Sequence, residues 1–177
     1  MTSEKQIWTI GHSTRSQEEF IQLLQSFQIE LLIDVRRYPG SRKYPHFNKE
    51  HMEVTLPQHQ IEYLHLEDLG GRRKVNKDSK NMAWRLISFR GYADHMETSS
   101  FKEAAAQLQE LASAKRVAYM CSEAVWWSCH RALISDYLKV RGWQVNHIMG
   151  TDNSPEHPYT KPARIIDGKL CYEKPEE

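Results

Sequence analysis

Cysteine is scarce in this 177-residue chain, which has only Cys121, Cys129 and Cys171. A small, odd number argues against a secreted disulfide framework and for a reducing compartment, with the cytoplasm as the default expectation. No apolar run approaches the roughly 20 residues that cross a bilayer, so no membrane partner is expected. Met1 to Gln6 is polar and leads straight into a strand-like run, unlike a signal peptide. Net charge is nearly absent at +1, so bulk charge alone does not make the chain a binder of polyanions. The closely spaced cysteine pairs of a zinc site are missing, and no metal or cofactor is expected. There is no internal repeat and no low-complexity linker, and the length suits one domain with a real core, taken as residues 1–177.

What is present is unevenly placed. Arg36, Arg37, Arg42 and Lys43 crowd one segment, and Arg72 to Arg90 holds seven cations opposed only by Asp78. Such runs are often solvated faces, and they also suit a phosphate-facing side. Ile7–Ile10, Leu31–Val35, Ile61–Leu66, Val117–Met120 and Val145–Ile148 read as strands. Ser16-Gln17-Glu18-Glu19 is a capping box ahead of apolar residues at helical spacing. Helices are expected from about Asn48 to Leu56, stopped by Pro57, then around Phe89–Met96, from Ser99 or Ser100 through Leu111, and from about His130 to Arg141 with Gly142 as its stop. Residues 151–177 form a polar tail in which Asp167-Gly168 marks a small hairpin. Strands alternating with helices predict an α/β fold, a central and mainly parallel sheet flanked by helices.

In that architecture ligands bind beyond the C-terminal ends of the strands. Three polar clusters fall there: Gly11-His12-Ser13, Asp34-Val35-Arg36 and Cys121-Ser122-Glu123. The last is followed by Cys129-His130-Arg131 at the start of a helix. A loop and a helix N-terminus direct backbone N–H groups and positive charge at one place, which favours anions and thiolates.

These clusters, with Pro39, Ser41-Arg42, Leu69-Gly70-Gly71 and Gly91-Tyr92-Ala93, resemble the domain of unknown function 488 family over about residues 7–150. That family usually has Ala after the cysteine, where this chain has Ser122. The resemblance implies a fold and a site but no reaction. A second likeness is to rhodanese-type sulfurtransferases: Leu32-Ile33-Asp34-Val35-Arg36 is similar to their early strand, and the Cys121 strand with its helix ending at Arg141-Gly142-Trp143 to their cysteine strand and helix. It implies a persulfide on Cys121. Their cysteine loop is tight, with Gly and Arg inside; here Arg131 comes late, and the loop holds Trp126 and Trp127 without glycine.

The candidate chemistry divides by residue type. Cys121 is either an inert buried thiol at a strand end or the nucleophile, in which case its pKa is depressed by helix amides, Arg131 or a protonated His. His12 or His130 serves as base, and Glu123 as general acid/base or as the ion-pair partner of Arg131. Asp34 is either a ligand-site carboxylate or the partner of Arg36 or Arg42. Ser13, Arg36, Ser41, Arg42 and Arg131 suit phosphate oxygens. Trp126 suits stacking on a base. A Cys121–Cys129 disulfide requires the loop to fold back. Three readings follow: an enzyme, a cysteine- or glutamate-dependent transferase or hydrolase, for a phosphate-bearing ligand such as a nucleotide or nucleic acid; a rhodanese-like sulfur carrier; and a non-catalytic nucleic-acid-binding module.

Overall fold

The computed structural model describes residues 5–175, so Met1–Glu4 and the acidic Glu176 and Glu177 lie outside the described residues. Five parallel strands form one sheet in the order β3-β2-β4-β1-β5: β1 (Gln6–Gly11), β2 (Leu31–Asp34), β3 (Glu62–His65), β4 (Val117–Cys121) and β5 (Gln144–His147). Both faces are covered, which is why these strands read as continuous apolar runs. Side chains alternate between faces. Trp8, Ile10, Leu32, Ala118 and Met120 pack with α1 (Gln17–Ser26) and α2 (Lys49–Thr55). Ile7, Ile33, Val117, Tyr119 and Cys121 face α3 (Ile87–His95), α4 (Ser99–Ala114) and α5 (Arg131–Val140).

Local sequence accounts for the ends of several elements. The Ser16 hydroxyl accepts the Glu19 N–H and the Glu19 carboxylate accepts the Ser16 N–H, closing the capping box on α1. Thr98 caps α4. Gly142, with φ 92°, follows the end of α5 in the left-handed region that favours glycine. Helix α2 ends at Thr55, and the chain continues as a 3-10 turn through Pro57. In the tail, β6 (Arg164–Ile166) and β7 (Lys169–Cys171) form the expected hairpin. Asp167 and Gly168 both have positive φ, as a two-residue type I′ turn requires. Among the described residues no helix is long and apolar enough to cross a membrane.

The chain order puts β4 between β1 and β2. That crossover brings the C-terminal ends of β1, β2 and β4 side by side, with Gly11 opposite Cys121 and Asp34 opposite Met120. The pairing runs past the strands, as the His12 and Ser13 N–H groups donate to the Cys121 and Ser122 carbonyls.

Candidate active site

Above these three strand ends lies a cleft of about 650 Å3. His12, Ser13, Arg36, Ser41, Cys121, Glu123 and His130 all line it, together with Cys129, Arg37 and Arg72.

At its floor two thiols meet. Cys121 closes β4 and Cys129 ends the loop before α5, and their Sγ atoms are 2.8 Å apart. The loop does fold back: a 3-10 turn over Trp126–Ser128 returns the chain to the strand end. Arg131, in the first turn of α5, is fully buried. Its Nε donates to Cys121 Sγ at 2.9 Å, one Nη to the Glu123 carbonyl at 2.7 Å and the other to Thr9 Oγ1 at 3.1 Å. Its backbone N–H lies 3.4 Å from Cys129 Sγ. Among the described residues no carboxylate forms an ion pair with this guanidinium. A buried cation without a counter-charge is costly, and the sulfur pair is the group placed to supply one.

The ionisation of the pair follows. Burial opposes a charge on Cys129, but the Cys121 thiol donating to it, the Arg131 charge and the Arg131 N–H outweigh that and bring its pKa down to about 5. Burial, then the hydrogen bond to Cys129, pushes Cys121 up. Arg131 responds in kind: burial disfavours its charge, yet the two sulfurs beside it raise its pKa. Arg131 beside both sulfurs favours the loss of one proton from the pair, and the remaining proton is held across the contact between Cys121 and Cys129.

Glycine makes this geometry possible. A Cβ on Gly11 would lie 1.6 Å from the Glu123 carbonyl oxygen and 2.9 Å from Arg131 Nη2. Gly11→Ala is expected to force the loop off the strand and to cost about 1–3 kcal/mol, read by denaturant unfolding. An unchanged unfolding midpoint would mean the loop moves freely.

Behind Arg131 runs a buried chain of hydrogen bonds. The Thr9 hydroxyl donates to His147 Nδ1 (2.6 Å), His147 Nε2–H to His157 Nδ1 (2.8 Å) and His157 Nε2–H to Asp136 Oδ1 (2.8 Å). This order of donors is the one that lets Thr9 also accept from Arg131. Burial, then the neighbouring His157 and Arg131, holds the His147 pKa at about 2, so His147 is neutral. Asp136 also accepts from the Thr160 N–H and hydroxyl and from the Tyr172 hydroxyl, tying the tail to the site. Sequence reasoning gives Thr9, Asp136, His147 and His157 no role in the site. The available signal was polarity out of place: Thr9 inside an apolar strand, and Asp136 on the apolar face of α5 that Ala132 and Leu133 share.

The two cleft histidines are also neutral. Burial lowers His12 to about 4, against a hydrogen bond from its Nδ1–H to the Ser13 carbonyl; its ring stacks on Phe47 at 4.4 Å. Burial likewise lowers His130, whose Nε2–H donates to the Val35 carbonyl at 2.6 Å and whose Nδ1 has no hydrogen-bond partner among the described residues.

Other expected site residues sit differently. Asp34 is fully buried, beneath the cleft rather than lining it. It holds Arg36 through two guanidinium bonds of 2.9 and 2.7 Å and also accepts from the Tyr63 hydroxyl. Arg36 donates further to the Phe47 carbonyl, so most of its donors are taken. Arg42 is exposed and does not line the cleft. Arg131 bonds the backbone of Glu123, not its carboxylate, because the turn after β4 leaves that side chain exposed. Trp126 stacks on His147 at 4.7 Å and covers the relay rather than the cleft. The anion donors facing the cleft are instead Arg37, Arg72, Ser13 and Ser41. Ser41 Oγ accepts from the Lys43 and Tyr44 N–H groups, so its own proton remains to donate. Ser13 has φ 50°, a strained conformation for a residue with a Cβ, held here by its N–H bond to Ser122.

A family model described as a domain of unknown function, DUF488, matches residues 16–138, from the cap of α1 to within α5. The matched span contains both cleft cysteines, Arg131 and Asp136, while Thr9, His147 and His157 fall outside it. No curated protein and no solved structure matches the chain.

Proposed function

The chain belongs to the DUF488 family, and from the geometry of its cleft we propose that it is a cysteine-dependent transferase or hydrolase acting on a phosphate-bearing ligand. One observation carries this reading: fully buried Arg131 is bonded to two contacting thiols and, among the described residues, to no carboxylate. That arrangement keeps a thiolate at neutral pH, and a thiolate is the nucleophilic form of cysteine. In the proposed step the Cys129 sulfur gives its electron pair to an electrophilic centre, and the leaving group departs with the electrons of the broken bond. His130, neutral with Nδ1 open, takes a proton from the water or acceptor that then displaces the sulfur. Arg37, Arg72, Ser13 and Ser41 hold the ligand's phosphate. Glu123 is available at the rim as a proton donor or acceptor.

The test is site-resolved alkylation against pH, with peptide mass spectrometry as the readout. Cys129 is expected to react ahead of Cys171, with half-maximal rate near pH 5 rather than near the ordinary thiol value of about 8.5. If neither Cys121 nor Cys129 reacts until the protein unfolds, both are core residues and the proposal fails.

A second reading, the sulfur carrier, is favoured by the 2.8 Å sulfur contact. Thiolate attack on the outer sulfur of thiosulfate would leave a persulfide and release sulfite. The neighbouring thiol could then close a disulfide and expel hydrosulfide. A gain of one sulfur atom on Cys121 or Cys129 after thiosulfate treatment separates this reading from the first.

A further inference from the structure

We propose that the ligand is a single strand of nucleic acid, running from the cysteine cleft into a second, basic groove that meets the cleft at Phe89. The inference takes from the proposed function only the phosphate held in the cleft. The second groove encloses about 870 Å3. Five of the side chains lining it are cations, Arg85, Arg90, Lys161, Arg164 and Lys174, and none is acidic.

The groove is assembled by the fold. Arg85 and Arg90 flank the start of α3, and the other three cations come from the tail. The Ala83 N–H donates to the Tyr172 carbonyl, and the Trp84 ring meets the Tyr172 ring edge-on at 5.5 Å, which holds the two segments together. Like charges gathered in this way repel one another unless an anion lies among them. The structure supplies none from the described residues. Arg85, Lys161 and Lys174 make no ion pair there. Arg90 donates to the neutral Trp84 carbonyl and Arg164 to the neutral Glu173 carbonyl, so their charges also stay uncompensated.

Two further features select a strand of nucleotides among anions. Phe89 lines both the cleft and the groove, so the two surfaces adjoin at that side chain. Between the cations the groove wall is apolar, with Phe89 half-buried and Leu86 60% exposed. Flat bases seated on apolar side chains, with phosphates on flanking cations, is how single strands are held without sequence preference. A duplex hides its base faces. An acidic peptide would match the cations but would leave Phe89 without a flat partner.

The experiment is fluorescence anisotropy of the full chain with a short labelled oligothymidylate, titrated at several salt concentrations. If all five cations meet phosphates and the cleft holds one more, the slope of log affinity against log salt is expected near −4, at about 0.7 per phosphate on a single strand. Replacing three of them (Arg85→Ala, Lys161→Ala, Lys174→Ala) should reduce that slope by about 2 and weaken binding at least tenfold at low salt. Phe89→Ala should weaken binding roughly tenfold with the slope kept. An unchanged slope in the triple variant would overturn the inference. So would competition by a poly-glutamate peptide as effective as that by unlabelled oligonucleotide, since the groove would then be a peptide site. The Cys129 alkylation profile, measured on the same triple variant, reports separately on the cysteine chemistry. Intact alkylation with an unchanged salt slope in the triple variant sinks only this inference, and inert thiols with the expected oligonucleotide binding sink only the enzyme reading.

Discussion

Arg131→Met is expected to slow alkylation of Cys129 at pH 6 by on the order of a hundredfold. The methionine fills much of the buried volume but removes the charge and all three guanidinium bonds, to Cys121, Thr9 and the Glu123 carbonyl. With the guanidinium gone and burial still opposing ionisation, the first thiol pKa rises from about 5 toward the ordinary value of about 8.5. The pH–rate profile checks this directly, and a profile that stays in place would show that the thiolate is set by the α5 amides instead. Stability should follow with a definite sign. A depressed thiol pKa stabilises the fold fully above its unfolded value and loses that effect as pH falls through the folded value. The advantage of the wild type over Arg131→Met should therefore grow as pH is raised from about 5 toward about 8.5. Above that, Cys121 works the other way: its raised pKa favours the unfolded chain, which ionises freely.

Asp136→Ala should be the most destabilising single change, by about 3–5 kcal/mol. Asp136 is fully buried and receives four donors, from His157, from Thr160 twice and from Tyr172. Truncation leaves all four without an acceptor in a site closed to water, and unsatisfied buried donors are what makes such losses large. The damage should spread in two directions. Residues 157–172 lose their anchor on α5, so amide hydrogen exchange there should quicken ahead of exchange in the sheet. The Thr9–His147–His157 chain loses its end, so the alkylation profile of Cys129 should also shift. Asp136→Asn keeps the shape and one carbonyl acceptor, and the two hydroxyls can rotate to accept from its amide, so it should recover much of the loss. Equal destabilisation by Ala and Asn would mean that negative charge at the end of the chain, rather than hydrogen bonding, is what Asp136 supplies.

Much of this architecture was legible along the chain. Periodicity is a local property, and so are the capping box at Ser16, the stop at Gly142 and the turn at Asp167-Gly168, because each depends on a few neighbouring backbone angles. The clustering of polar residues after three strands was equally local, and with an α/β fold it was enough to locate the cleft. What each side chain does there was not local. Arg131 stands ten positions after Cys121, too far along the chain for the tight loop of a sulfurtransferase, yet a folded-back loop and a glycine at position 11 put its Nε 2.9 Å from the sulfur. Asp34 had two candidate partners and holds Arg36, not Arg42, while Trp126 looked like a stacking platform and covers His147. Which thiol ionises depends on the field of a guanidinium and a second sulfur, and those distances exist only once β4 is inserted between β1 and β2. The sequence by itself thus determined the elements, their order and the end of the sheet that carries the site. Only the tertiary structure decided the charge states and the partners, because burial and electrostatic contact are set by the packing of segments more than a hundred residues apart, as in the Thr9–His147 bond.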